Sequence, residues 1–160
     1  MLTLKKITSK NVWKILKLRV RDDQDDFVAS NTQSIIEAYL SVTSGGHALP
    51  FGIYEDDTPV GFLMIGYDVD ETYDNPPKIA YGNYSIWRLM IDKNHQHKGY
   101  GRKAIALALD FIRTLPCGPA EYCYLSYEKE NTNAAALYHS FGFEENGEMD
   151  EDEIVAVLKL

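Results

Sequence analysis

Residues 89 to 103 read Leu89-Met90-Ile91-Asp92-Lys93-Asn94-His95-Gln96-His97-Lys98-Gly99-Tyr100-Gly101-Arg102-Lys103, an apolar strand-like run that empties into a glycine-bearing turn and then a helix. A junction of this kind binds anions. The first turn of a helix has backbone N–H groups without partners and a partial positive charge, and a diphosphate answers both. Gly99 and Gly101 lack a Cβ, so the chain there can close on phosphate oxygens. Lys98, Arg102 and Lys103 add positive charge in a chain whose net charge is -8. A glycine pair alone is common, so other phosphate loops have to be set aside. A nucleotide P-loop ends Gly-Lys-Ser/Thr, and no Ser or Thr follows a lysine here; the dinucleotide fingerprint asks for a third glycine at position 104, which is Ala. The remaining reactive types are sparse. Cys117 and Cys123 flank a Gly-Pro turn and fit neither a metal pair nor a disulfide framework, so they read as reduced structural thiols. His95 and His97 have no third ligand nearby and read as a solvated pair, and His139 reads as a surface residue, so no metal is expected.

The elements that must position this turn follow from periodicity. Leu2, Leu4 and Ile7 suggest a strand, then a helix capped by Ser9 that carries Val12, Ile15, Leu16, Leu18 and Val20. Residues 31 to 43 predict a second helix, capped by Asn31 or Thr32, with Ile35, Ile36, Tyr39 and Leu40 as its apolar face. Phe51 to Glu55 and Val60 to Tyr67 predict a hairpin around Asp56-Asp57-Thr58-Pro59. After an acidic irregular loop over 68 to 82, Tyr84 to Ile91 is a central strand, Ala104 to Leu115 a helix, Tyr122 to Tyr127 a strand and Thr132 to Phe141 a short helix stopped by Gly142. Phe143 and Ile154 to Leu160 supply closing strands. The expected fold is α/β in the α+β sense: one domain over 1–160, with a mixed, mostly antiparallel sheet of about six to seven strands and helices on both faces.

Composition narrows the partners. With 16 basic residues against 24 acidic ones, the chain repels nucleic-acid backbones and attracts small cations. The acidic runs at 22–26, 55–57, 68–74 and 144–153 read mainly as solvated loops. No stretch approaches the ~18 apolar residues of a membrane helix, and the first residues lack the apolar run of a signal peptide, so a cytoplasmic protein is expected.

The pattern Gln96-x-x-Gly99-x-Gly101 resembles the pyrophosphate motif of the GNAT superfamily of N-acetyltransferases. The later run Asn131-Thr132-Asn133-Ala134-Ala135-Ala136-Leu137-Tyr138-His139-Ser140-Phe141-Gly142-Phe143 is similar to the same superfamily's Asn-x-x-Ala-x-x-x-Tyr-x-x-x-Gly-Phe signature. The two motifs stand in the right order, and the surrounding elements agree along the whole chain. Phe27 to Asn31, Pro50-Phe51, Gly61-Phe62 and Trp87 to Asp92 resemble the bacterial branch of diamine and spermine/spermidine acetyltransferases.

The resemblance implies an acetyl-CoA cosubstrate and direct acetyl transfer to a primary amine in a ternary complex. Backbone groups of Leu89, Met90 and Ile91 would pair with the pantetheine arm, Gln96, His97, Lys98, Gly99, Tyr100, Gly101 and Arg102 would form the pyrophosphate loop, Asn131 would bond the pantetheine region and Tyr138 would protonate the departing thiolate. The family usually carries a small residue, often glycine, where His97 stands; the His97 amide can still donate. The acceptor ammonium must lose a proton before it attacks, and for that base Asp25, Asp26, Glu37 and a water path from Tyr84 all stand open, with Arg88 a further candidate for the substrate site. The implied acceptor is a polyamine or diamine; the alternatives are another small amine, an aminoglycoside-like compound or a peptide N-terminus, and a non-catalytic acetyl-CoA sensor. The implied partners are a small cationic amine and, in a homodimer, a second copy of the chain.

Overall fold

The computed structural model describes all 160 residues. One seven-stranded sheet organises them, from β1 (Leu2–Lys6), β2 (His47–Glu55), β3 (Thr58–Tyr67), β4 (Tyr84–Ile91), β5 (Tyr122–Tyr127), β6 (Glu144–Asp150) and β7 (Glu153–Lys159), in the order β1-β2-β3-β4-β5-β7-β6. Every neighbouring pair is antiparallel except β4 and β5, which run parallel. Four helices, α1 (Val12–Ile15), α2 (Asn31–Thr43), α3 (Tyr100–Ile112) and α4 (Thr132–His139), cover it.

Strand alternation sorts the core into two faces. Leu63, Ile65, Ile86, Leu125 and Ala156 turn toward Ala104, Ile105, Ala108 and Leu109 of α3, with Leu137 and Tyr138 of α4 packed beside them. Tyr54, Phe62, Met64 and Met90 turn the other way, against Ile15 and Ala38. Farther along that second face Tyr124 and Val155 meet Tyr73 and Ile79 from the loop between β3 and β4. Close approach keeps β4 in place: a Cβ on Gly61 would run into the Met90 carbonyl.

Several elements depart from the sequence expectation. The first helix is a single turn, because Arg19 leaves it to donate its N–H to Asp92 (2.9 Å) and accept from Lys93 N–H (2.8 Å). Ser30, not Asn31 or Thr32, caps α2 by accepting from Gln33 N–H, and the Asn31 side chain is buried against the Ile15 carbonyl. The packed face of α2 is its small one, Asn31, Ser34, Ala38 and Ser41, whereas Ile36, Tyr39 and Leu40 are exposed. The hairpin turn is only Asp56-Asp57, Asp56 taking the left-handed φ of 53° that a two-residue turn needs, so Thr58 and Pro59 already belong to β3. The acidic 144–153 run contains an ordered strand, β6, at the sheet edge, where its exposed carboxylates discourage pairing with another chain.

Candidate active site

β4 and β5 pair at only two positions, Tyr84 with Cys123 and Ser85 with Tyr124. Beyond Ser85 the strands part, and the edge of β4 from Ile86 to Ile91 that faces β5 has no strand beside it. A bulge assists: β3 register skips between Met64/Arg88 and Ile65/Ile86, so Trp87 is the extra residue and Trp87 and Arg88 both turn to the α2 face. The gap is the floor of a cavity of about 1160 Å³, bounded by β4, β5, the turn after β4, the start of α4 and the loop after β3.

The turn at 92–99 is built so that its donors stay free. Asp92, 5% exposed, accepts from the N–H of Arg19 and of Asn94 and from the Asn94 side chain, fixing the exit of β4. The Gln96 amide donates to the Ile91 carbonyl (3.1 Å) and to Gln24 Oε1 (2.7 Å), tying the turn to its own strand and to the short 3-10 segment Asp22–Phe27. His97 and Gly99 both take positive φ, 62° and 75°, which coils the backbone into an anion-binding concavity. The N–H groups of His97, Lys98 and Gly99 bond nothing within the turn. Those of Tyr100, Gly101 and Arg102 open α3 and have no carbonyl one turn back. Six convergent amides beside a free strand edge fit a diphosphate carried on an extended amide-bearing arm. Lys98 is exposed outside the cavity, and Arg102 is held over the Phe141 ring with its guanidinium donating to Ser140 Oγ (2.6 Å).

Asn131 and Tyr138 reach the same cavity from α4. Asn131 caps that helix, accepting from Ala134 N–H. Tyr138 packs between Tyr127 (ring centroids 5.8 Å apart) and Phe143 (6.3 Å), and burial, with the charge of Glu153, pushes its hydroxyl up to about 12. A phenol so shifted stays protonated and able to donate at neutral pH.

The acceptor-side candidates separate. Glu37 lines the cavity with both carboxylate oxygens engaged, Oε1 by Gln33 (2.9 Å) and Oε2 by Arg88 (2.7 Å), and Arg88 Nε is buried without a partner. Asp25 and Asp26 stand exposed at the mouth. Tyr84 is not brought to the cavity: it is fully buried toward α3, donating to the Gly118 carbonyl and accepting from Cys117 and Gly118 N–H, and the bulge at Trp87 leaves it on the face opposite Arg88. The sequence reading missed Ser126, Asp150 and Glu153. Glu153 lies half-buried on the α2 face of β7, diagonal to Ser126 of β5. Burial raises its proton affinity above that of an ordinary glutamate despite the opposing pull of Arg88. Its only sequence signal was a place inside an acidic run.

The cysteines face away from this chemistry. Cys123 is enclosed in the core, where burial pushes its thiol up to about 12, and burial raises Cys117 too; neither lines the cavity. No group of three or more His, Cys, Asp or Glu side chains converges as metal ligands, and no helix is long and apolar enough to cross a membrane.

Residues 12–143 match the family described as the acetyltransferase (GNAT) family. Two curated relatives, the spermine/spermidine N(1)-acetyltransferase of Bacillus subtilis (strain 168) and the probable spermine N(1)-acetyltransferase of Bacillus subtilis subsp. natto (strain BEST195), are each 30% identical over 151 residues, covering 93% of this chain and 91% of theirs. Among solved structures, an aminoglycoside acetyltransferase in complex with coenzyme A superposes with a TM-score of 0.77 at 15% identity, over 99% of this chain and 95% of that one. The PaiA N-acetyltransferase of Thermoplasma acidophilum, also with coenzyme A, gives 0.67 at 13%, over 100% and 99%. At such identities the structures establish the shared fold.

Proposed function

The chain belongs to the acetyltransferase (GNAT) family and is an acetyl-CoA-dependent N-acetyltransferase, and from that premise we propose that its acceptor is a polyamine or diamine of the spermidine class. The observation that carries this reading is the charge of the cavity wall. Ten carboxylates line it, Asp25, Asp26, Glu37, Asp68, Asp70, Asp74, Glu128, Asp150, Glu151 and Glu153, against the two arginines Arg88 and Arg102. A cleft of one sign with low-dielectric walls concentrates the opposite charge, so an acceptor with several ammonium groups is drawn in and held along its length. The 30% identity to spermine/spermidine acetyltransferases supports the same choice.

In this reading acetyl-CoA supplies the acetyl group as a thioester. The free edge of β4 at Leu89–Ile91 pairs with the arm, the amides of 97–102 hold the diphosphate, and an N–H of β4 holds the thioester oxygen. Asn131 orients the arm from the start of α4, and Tyr138 delivers a proton to the departing sulfur. Transfer is direct, with both cysteine thiols outside the cavity lining and raised in pKa.

The test is an acceptor screen at fixed acetyl-CoA with spermidine, spermine, a diamine, an aminoglycoside and a dipeptide. Polyamines should give the highest kcat/KM, falling steeply with added salt as steering is screened. Turnover of the aminoglycoside or dipeptide with none on any polyamine would reject the acceptor assignment. Saturable acetyl-CoA binding with no turnover of any amine would instead favour a sensor.

A further inference from the structure

We propose that Glu153 is the group that takes the proton from the acceptor ammonium, an inference that rests on the amine-acceptor reading above. Tyr138 enters the cavity from α4, on the α3 face of the sheet, whereas Glu153, Ser126 and Arg88 belong to the opposite face, which carries α2 and the loop after β3. The two faces communicate where β4 and β5 part. Proton donor and proton acceptor therefore flank the gap from opposite sides. The amine adds to the thioester carbonyl and sulfur then leaves the same carbon, so a proton acceptor beside the nitrogen and a separate donor beside the sulfur suit the two proton transfers.

The other carboxylates of the wall are less fit for the task. Glu37 has both oxygens engaged by Gln33 and Arg88. Asp150 accepts from the Tyr73 hydroxyl (2.6 Å), and Asp70 is held by Ser41 and Thr72. Asp25 and Asp26 lie at the exposed mouth. Glu153 is half-buried in the cavity wall with no hydrogen bond or ion pair engaging its carboxylate, and the charges it feels are those of Arg88 from β4, Asp150 from β6 and Glu128 just after β5, with the Tyr138 phenol on α4 across the gap. Burial outweighs Arg88 and leaves it a stronger base than an exposed glutamate.

The ammonium N–H bond breaks and its proton passes to the Glu153 carboxylate; the freed lone pair forms the N–C bond to the acetyl carbon as the C–S bond breaks. The thiolate takes the Tyr138 proton, the second nitrogen proton replaces it on the phenolate, and Glu153 releases its proton to water.

The test compares wild type, Glu153→Gln, Glu153→Asp and Glu128→Gln, reading kcat/KM for spermidine against pH, CoA affinity by calorimetry and the 13C-detected titration of the Glu153 carboxyl. The expected result is that Glu153→Gln loses about 10²–10³ in kcat/KM at pH 7, with its rate rising with pH as free amine accumulates, while CoA affinity stays within about twofold. Glu153→Asp recovers part of the rate and the acid limb, and the wild-type carboxyl titrates above an exposed glutamate. An unchanged acid limb in Glu153→Gln, its loss in Glu128→Gln instead, or a matching loss of CoA affinity would overturn the assignment. If wild type acetylates an aminoglycoside and no polyamine, the acceptor reading fails by itself, and the same comparison on that acceptor decides Glu153 separately.

Discussion

The turn after β4 and the wall formed by Ser126, Tyr138 and Glu153 serve one cavity and are made by opposite means. The turn is backbone: its donors are six consecutive amides, held open by Asp92, Gln96 and two left-handed residues inside a dozen positions. The wall is side chain, and its parts come from β5, α4 and β7, meeting only because β5 pairs with β7 and α4 packs on the sheet beside them. A backbone site tolerates side-chain change wherever the dihedrals survive, whereas a side-chain site fails with a single atom. Substitutions on the two sides should therefore differ in kind as well as in size.

The largest effect is expected from Tyr138→Phe, which deletes one hydroxyl from the wall. Its kcat should fall by about 10²–10³ with CoA affinity within about twofold, measured by steady-state kinetics and calorimetry. With the Tyr138 hydroxyl pushed up to about 12, the donor is present below that pH and lost only above it, so the wild-type profile should show no alkaline limb from this residue near neutrality. An unchanged kcat in the Phe variant would remove the proton donor from the account.

Next in size is Gly61→Ala, which attacks the strand both regions share. The added Cβ meets the Met90 carbonyl, and β4 must shift to relieve it. A loss of about 1–3 kcal/mol is expected, a Tm drop on the order of 5 °C, together with a raised KM for acetyl-CoA. If only Tm changed, the free edge of β4 would not be part of the binding surface.

A smaller effect of opposite sign separates stability from function in the wall. Because burial raises the folded-state pKa of Glu153 above its unfolded value, the stabilising contribution of its protonated form is present at low pH and lost as pH rises through the folded value. Glu153→Gln should therefore have a higher Tm than wild type at pH 8, with the gap closing below about pH 4, the range of an unfolded glutamate. A gap that persisted unchanged at low pH would mean that packing, not charge, sets the difference.

The smallest effect is expected in the turn. His97 holds a φ of 62°, a conformation glycine adopts freely, but the exposed imidazole has one hydrogen-bond partner, Arg21 (3.2 Å). In His97→Gly, relief of strain and the greater freedom of the unfolded chain, each about 1 kcal/mol, nearly cancel. Tm should move by about 2 °C or less and CoA affinity by less than about threefold, because the amide remains. A tenfold change would show that the imidazole itself contacts the cofactor.

The same contrast explains what could be read in the sequence. Gln96, Gly99, Gly101, Asn131 and Tyr138 stand in two short runs whose spacing encodes a local shape, so the turn and the start of α4 were legible, as was the mixed sheet with helices on both faces. Pairing between distant strands was not: nothing near Glu153 announces that it will lie diagonal to Ser126. Tyr84 and Arg88 share a strand, and only the bulge at Trp87 sends Arg88 to one face with Tyr84 on the other. The α2 face was misjudged for a related reason. Helical spacing marks Ile36, Tyr39 and Leu40 as apolar, but the sheet takes the small residues because the helix axis must come close. Gln96 was expected among the cofactor contacts; it lines the cavity, and its amide anchors the turn.

The most direct measurement is a backbone amide chemical-shift titration of the protein with CoA. Saturable shifts should be largest at Leu89–Ile91 and His97–Arg102, with smaller ones at the start of α4 and little change along β1 and β6. No saturable shift at millimolar CoA, or shifts centred away from the gap between β4 and β5, would contradict the account.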